Sequence, residues 1–222
     1  MITLFYGVPG AGKTTAMMDY VSAHSQEQRF FVVDRAGEWD ALDSDDPMRP
    51  NPRWRGKELP IQKVKSDALP SEWPDTGIFL FQYPWEGPAV AELAKDVGET
   101  VYVDDEIDLV AVYQGWNESP LRDFVHRGRH LPNREGRIGK VHILGAARRP
   151  QNLHSDITSL CDQCLIFRVQ GFRTIERLIQ DSMIDKSEAD EIRNMADLRY
   201  KLWKSDGSSE WGEVMNPFKT QE

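Results

Sequence analysis

Residues Gly7 to Thr14 read GVPGAGKT and satisfy G-x-x-x-x-G-K-[ST] at every fixed position. This octapeptide constrains the fold more than any other feature of the chain. Such a loop works when a buried strand runs into it and a helix begins at its end. The glycines then turn backbone N–H groups inward, and the helix N-terminus adds its positive end. Both flanks fit. The apolar run ITLFY (Ile2 to Tyr6) precedes the loop, and a helical stretch from Thr14 to Ala23 follows it. The pattern predicts a phosphate cradle formed by Gly7, Pro9, Gly10, Ala11, Gly12, Lys13, Thr14 and Thr15. In it Lys13 reaches the β- and γ-phosphates of ATP and the Thr14 hydroxyl meets Mg²⁺.

The rest of the chain repeats the alternation. Short apolar runs occur at Phe30 to Asp34, Ile78 to Tyr83, Thr100 to Asp104, Val141 to Ala146 and Cys164 to Val169. Near-continuous apolar strands separated by helices indicate a mainly parallel sheet covered on both faces, an α/β P-loop NTPase architecture. Val90, Leu93, Ala94 and Val97 mark one helix, Leu121, Phe124 and Val125 another opened by Ser119-Pro120, and Ile175, Leu178 and Ile179 a third. From Asp43 to Asp75 six prolines predict an irregular excursion with one strand near Ile61 to Val64. At the end, Leu198, Tyr200 and Leu202 alternate, SDGS turns, and Glu210 to Met215 returns, the pattern of a β-hairpin. The expected organisation is a single ATPase domain, 1–222, with its core at 1–170 and a helical and hairpin extension at 171–222.

A P-loop site needs an acid at the tip of a neighbouring strand. TVYVDDEID supplies it: Asp105 is expected to hold Mg²⁺ through water, and Glu106 to orient and polarise the attacking water. Asp104 occupies a position where an apolar residue is usual, and a share in the metal role is left open for it. A glutamate beside the metal acid favours hydrolysis over transfer to a small acceptor.

The charge of the 222-residue chain is −9, which argues against a purely basic nucleic-acid binder. Between Ser119 and Pro150, however, eight basic residues (Arg122, Arg127, Arg129, Arg134, Arg137, Lys140, Arg148, Arg149) face only Asp123 and Glu135. That stretch reads either as a solvated face or as an anion-facing surface. Arg49, Arg53, Trp54, Arg55 and Lys57 form a smaller cluster that reads first as an irregular surface loop and second as a nucleic-acid contact; Trp54 or Trp116, near basic residues, could stack on bases, though no aromatic stripe requires it. A composition 40% hydrophobic and 28% charged excludes a disordered chain, and no apolar run approaches the ~20 residues of a membrane span. The opening MITLFYGVPG reaches its glycines too early for a secretory signal, and a reducing compartment is expected. Cys161 and Cys164 form a C-x-x-C without a second pair or suitably spaced histidines, so packing rather than zinc is expected.

Taken with FVVDRAGEW (Phe31 to Trp39), VDDEID and GAARRPQNLHSDITSLCDQCLIFRV (Gly145 to Val169), the loop makes the chain resemble the HerA–FtsK superfamily of DNA-pumping ATPases. Within it the chain is most similar to the genome-packaging ATPases of tailless icosahedral viruses with an internal membrane. The resemblance covers roughly Ile2 to Val169. It implies the strand order 5-1-4-3-2, with Ile78 to Tyr83 as an extra strand beside the second. It also implies a homo-oligomeric ring, commonly a hexamer, acting on double-stranded DNA. Capsid vertex or portal proteins would be its partners, and the host cytoplasm or the virion its location. Many members carry glutamine before the Arg-Pro as a γ-phosphate sensor; Arg148 stands there in this chain. A trans-acting arginine is implied, with Arg129 and Arg127 as candidates, and Arg134 and Arg137 suit a pore-facing DNA contact. Three other functions fit parts of the pattern: a P-loop nucleotide kinase, a filamentous-phage assembly ATPase of the zonula-occludens-toxin type, and a nucleotide-gated structural subunit. A kinase would place the strand at Val101 directly beside the strand at Thr3.

Overall fold

The computed structural model describes residues 1–42, 51–54, 57, 59–128 and 130–215. In chain order the elements are β1 (Ile2–Tyr6), α1 (Lys13–His24), β2 (Arg29–Val33), β3 (Ile61–Lys63), β4 (Gly77–Phe81), α2 (Gly87–Val97), β5 (Thr100–Asp104) and α3 (Pro120–Arg127). They continue with β6 (Leu131–Pro132), β7 (Ile138–Gly139), β8 (Val141–Ala147), α4 (Ser155–Ser159), β9 (Gln163–Ile166), α5 (Phe172–Gln180), α6 (Ala189–Asn194), β10 (Arg199–Lys204) and β11 (Ser209–Glu213).

Nine strands form one sheet in the order β11-β10-β9-β1-β8-β5-β2-β4-β3. Its parallel core is the expected 5-1-4-3-2 arrangement, with β4 beside β2 as the extra strand. β8 lies between β1 and β5, so the neighbour relation expected of a kinase is absent.

The apolar runs are explained by their two faces. Phe5, Phe30, Val32, Val101, Val103 and Leu144 point to one side, where Met17, Met18 and Val21 of α1 cover them. Leu4, Phe31, Val33, Tyr102 and Ile143 point to the other side, under Val90, Ala91 and Ala94 of α2, Leu121 and Phe124 of α3, and Ile175 and Leu178 of α5. Each strand residue therefore has an apolar neighbour whichever way it points, and the period-2 signal disappears. Ser119 caps α3 by accepting from Leu121 N at 3.3 Å, with Pro120 at the first helical position.

The predicted hairpin forms and extends the sheet. β10 pairs antiparallel with β9 and with β11, and Gly207 takes φ +85° in the turn. Three strand ends fall short of the apolar runs. β9 stops at Ile166, where β1 ends, and the bonding carries on into the phosphate loop: Phe167 N donates to Tyr6 O at 2.8 Å and Val8 N to Arg168 O at 2.9 Å. β2 stops at Val33, after which Asp34 N still donates to Phe81 O at 3.0 Å while its side chain caps the loop that follows by accepting from Glu38 N. β4 stops at Phe81, after which the chain turns and Trp85 N donates to Gln82 O at 3.0 Å. In the proline-rich excursion β3 forms near the expected place, at the sheet edge, while residues 43–50 lie outside the described set.

Candidate nucleotide site

The loop Gly7 to Gly12 sits at the C-terminal tips of three adjacent strands. Gly7 N donates to Ala147 O (3.3 Å) at the end of β8, and Val8 N is held from the β9 side. Gly10 (φ +77°) and Gly12 (φ +113°) take left-handed conformations that other residues avoid. A Cβ on Gly12 would stand 2.9 Å from Leu198 Cδ2, so the loop is also closed from behind by the C-terminal tail. Leu198 N donates to Ala11 O at 2.9 Å. α1 starts at Lys13, one residue earlier than the sequence pattern indicated, and aims its first N–H groups into the loop.

A cavity of about 440 Å³ opens here, lined by Pro9, Gly10, Gly12, Lys13, Thr14 and Thr15 of the loop, by Asp105 and Glu106 beyond β5, and by Arg148 beyond β8. The structure brings these predicted residues together. Gly7 and Ala11 form the buried floor of the loop rather than the cavity wall. Thr14 Oγ1 donates to Asp105 Oδ2 at 2.5 Å, joining the two acid- and phosphate-binding motifs across the sheet. Burial pushes the Asp105 carboxyl up to about 7, against the opposing pull of the Thr14 hydrogen bond and the Lys13 ammonium. Burial likewise lowers Lys13, whose Nζ donates to Val8 O at 3.3 Å. Glu106 faces the same cavity and accepts from Arg148 Nη2 at 3.0 Å.

Asp104 does not share this geometry. Its carboxylate is fully buried and accepts from both Arg35 Nη atoms, from Tyr102 Oη (2.8 Å) and from Glu106 N (3.0 Å). Its oxygens are committed to holding the backbone that carries Glu106, leaving Asp105 as the acid beside Thr14. The odd polar residue at this strand end thus pairs with the odd charge in FVVDRAGEW. That motif is a scaffold: Asp34 accepts from Glu38 N (3.0 Å) and Gln82 Nε2 (2.9 Å), and Gly37 takes φ +71°.

The arginines separate into two groups. Arg148 lines the cavity. Arg127 does not: it ends α3, whose following residue Gly128 accepts from Val141 N at the opposite end of β8. It therefore lies at the far end of the sheet from its own phosphate loop. Arg129 lies outside the described residues. Arg134 and Arg137 sit exposed in the β6–β7 hairpin, also at that far end, where Arg134 N donates to Asp96 O.

Among the residues that sequence reasoning did not assign to the nucleotide but that also line the cavity are Arg35, Glu38, Arg53, Asp197 and Leu198. Glu38 pairs with Arg53 at 2.9 Å and Asp197 with Arg168 at 2.8 Å. The first two lie in the FVVDRAGEW motif, which was a legible signal. The other three are delivered by the excursion and the tail, for which local pattern gives none. Trp54 and Trp116 are not available for stacking on bases. Trp54 packs edge-on against Trp39 in the core, and Trp116 stacks on His154 and donates to Asp156. Lys57 donates to Ser22, and Arg49 and Arg55 lie outside the described residues. Cys161 and Cys164 are buried thiols, both raised by burial. Among the described residues no helix is long and apolar enough to cross a membrane.

No protein-family model and no curated protein matches the chain. Solved structures do. The DNA-packaging ATPase of Sulfolobus turreted icosahedral virus superposes with a TM-score of 0.65 at 12% identity, covering 97% of this chain and 98% of its own. The genome-packaging NTPase of Sulfolobus turreted icosahedral virus 2 does so with 0.66 in its complex with AMPPCP and 0.62 in its complex with ATP-γS, each at 12% identity over 96% of this chain and 97% of that one. At such identity the likeness is one of fold, and it spans nearly the whole of both chains: the protein has a P-loop NTPase fold like that of these structures, and its own sheet carries a C-terminal antiparallel hairpin.

Proposed function

We propose that the chain is a Mg²⁺-dependent ATPase that translocates double-stranded DNA, packaging a viral genome into a preformed capsid. The carrying observation is the 2.5 Å contact between Thr14 and Asp105 with Glu106 on the same cavity. A hydroxyl and a carboxylate at that spacing are hard oxygen donors, and Mg²⁺ typically takes one or two protein oxygens beside phosphates and water. Thr14 and Asp105 are thus the residues that would hold it, and the ion when bound would supply charge neutralisation at the phosphates. Lys13 and the N–H groups opening α1 bind the phosphates. Glu106 accepts a proton from the attacking water, and Arg148 faces the γ-phosphate from β8.

The DNA half of the reading rests on the far end of the sheet and on the fold likeness to packaging enzymes. Arg134, Arg137 and Lys140 are exposed on or beside the β6–β7 hairpin, and Arg122 and Arg127 on α3. A chain of charge −9 binds DNA weakly alone, since phosphate contacts supply most non-specific affinity. A ring, with six subunits favoured, multiplies the hairpin around one axis. In such a ring Arg127 or Arg129 serves the neighbour's nucleotide, the partners are capsid vertex or portal proteins, and the protein resides in host cytoplasm or virion.

The test is phosphate release with and without double-stranded DNA, and with nucleoside monophosphates. DNA-stimulated hydrolysis is expected. Lys13→Ala should abolish it, and Glu106→Gln should lower it roughly 10²–10⁴-fold while nucleotide still binds. Conversion of a monophosphate to a diphosphate would replace this reading with a kinase. Mixing Lys13→Ala subunits with Arg127→Ala subunits should restore some activity if that arginine acts in trans.

A further inference from the structure

Glu106 is held by a residue with a second use. Arg148 Nη2 donates to Glu106 Oε1 at 3.0 Å, and both side chains reach solvent, at 60% and 37% exposure. Arg148 directly follows Ala147, whose carbonyl accepts from Gly7 N, so its guanidinium is rooted at the mouth of the phosphate loop. We propose that Arg148 and Glu106 form a latch: without a γ-phosphate Arg148 engages Glu106, and a γ-phosphate draws the guanidinium away and frees the carboxylate for water. This rests on the ATPase reading and adds its regulation.

The chemistry favours the exchange. A guanidinium on one carboxylate oxygen takes up one of its acceptor sites and orients the side chain toward Arg148 rather than toward water. A terminal phosphate carries more charge than a carboxylate and offers oxygens for bidentate contact, so it competes well for an arginine. The latch is cheap to open because the pair is solvent-facing, and exposed ion pairs are weak. Arg148 is thus a positioning residue for Glu106 before it is a ligand of the nucleotide. Lys13, Asp105 and the Asp104-pinned backbone of Glu106 stay fixed while the one side chain moves. ADP, lacking the third phosphate, leaves the latch shut, and idle hydrolysis of a badly seated nucleotide is suppressed.

The experiment is a binding cycle on the full chain with Mg²⁺, comparing AMPPNP with ADP in wild type, Glu106→Gln, Arg148→Met and the double variant. If Glu106 competes for Arg148, Glu106→Gln raises the AMPPNP/ADP affinity ratio about 1.5- to 5-fold, the scale of an exposed ion pair. Arg148→Met lowers the ratio, and adding Glu106→Gln to Arg148→Met leaves it there. The latch is refuted if Glu106→Gln tightens both nucleotides alike, leaves the ratio unchanged, or raises it as much without Arg148. Failure of the wild type to bind either nucleotide would overturn the ATPase reading itself, and the latch with it. Circular dichroism checks the fold of each variant, which the exposure of both side chains should preserve.

Discussion

Replacing Arg35 by methionine keeps the side chain's length and removes the cation that faces Asp104. Asp104 is fully buried, and two of its four donors go with the guanidinium, leaving Tyr102 Oη at 2.8 Å and Glu106 N at 3.0 Å. Breaking a buried pair from one side costs about 3–5 kcal/mol. There is a ceiling, because the stranded carboxyl can instead take up a proton. From an ordinary aspartate value near 3.9, that uptake costs about 4 kcal/mol at pH 7 and about 1.4 kcal/mol less for each unit of lower pH. The variant's folded state then binds a proton that its unfolded chain releases, so its stability falls as pH rises above about 4. The loss relative to wild type should therefore be about 3–4 kcal/mol at pH 7 and no more than about 1.5 kcal/mol at pH 5. Urea denaturation at the two pH values measures it. Adding Asp104→Asn removes the stranded charge, keeps an acceptor for Glu106 N, and should recover most of the loss at pH 7. An equal loss at both pH values, or a double variant no more stable than Arg35→Met, would refute the argument that Arg35 neutralises Asp104.

Asp105→Asn should stabilise the nucleotide-free protein at pH 8 and not at pH 4. The Asp105 carboxyl is raised to about 7, so its ionisation destabilises the folded state progressively between about 4 and 7, by up to about 4 kcal/mol; thermal unfolding at the two pH values checks it. By the same shift, Mg-nucleotide binding below pH 7 should release a proton, visible as a buffer-dependent heat in titration calorimetry. Gly12→Ala forces alanine to φ +113° and its Cβ onto Leu198, so it should cost at least roughly 1–2 kcal/mol and abolish nucleotide binding, measured by denaturation and by fluorescent-nucleotide titration. Trp54→Ala should cost about 3–5 kcal/mol as a core truncation against Trp39 while leaving the DNA affinity of the folded fraction unchanged. Arg134→Glu with Arg137→Glu should leave basal ATPase intact and flatten the salt dependence of DNA binding by about 0.9 in log–log slope for each DNA phosphate that is no longer neutralised. A fall in basal ATPase would disconnect the hairpin from DNA.

The core was readable because its signals are local or pairwise. Apolar runs gave β1, β2, β5 and β8 to within a residue at each end, since strands buried on both faces need no partner to look buried. The loop, the Asp-Glu tip and the hairpin turn each rest on a few adjacent residues. What could not be read depends on residues far apart in sequence. Asp104 looked like a spare metal ligand because its partner, Arg35, lies 69 positions away on β2's loop. Trp54 looked like a base-stacking residue because its basic neighbours are adjacent in sequence, while Trp39 and Asp40, which bury and bond it, are not. Asp197 and Leu198 reach the phosphate loop because β10 adds to the sheet next to β9, which no local pattern states.

The basic stretch shows the same limit with a functional consequence. Between Ser119 and Pro150 the arginines look like one cluster, yet β8 runs through the middle of them. Seven residues of strand rise about 3.3 Å each, so Val141 and Ala147 stand about 20 Å apart. Arg148 and Arg149 follow the end that meets the phosphate loop, while Arg122, Arg127, Arg134, Arg137 and Lys140 gather around the other. One strand therefore joins a nucleotide-facing arginine to a basic hairpin. Under the translocation reading this geometry assigns the two groups different work. Charge near Arg148 answers to the γ-phosphate, and charge near the hairpin answers to DNA. Whatever couples them must pass along β8 and its neighbours or across a subunit boundary. Because β8 is clamped between β1 and β5, the two groups are held at opposite ends of a strand paired along both edges, and Arg127 stands remote from its own phosphate loop.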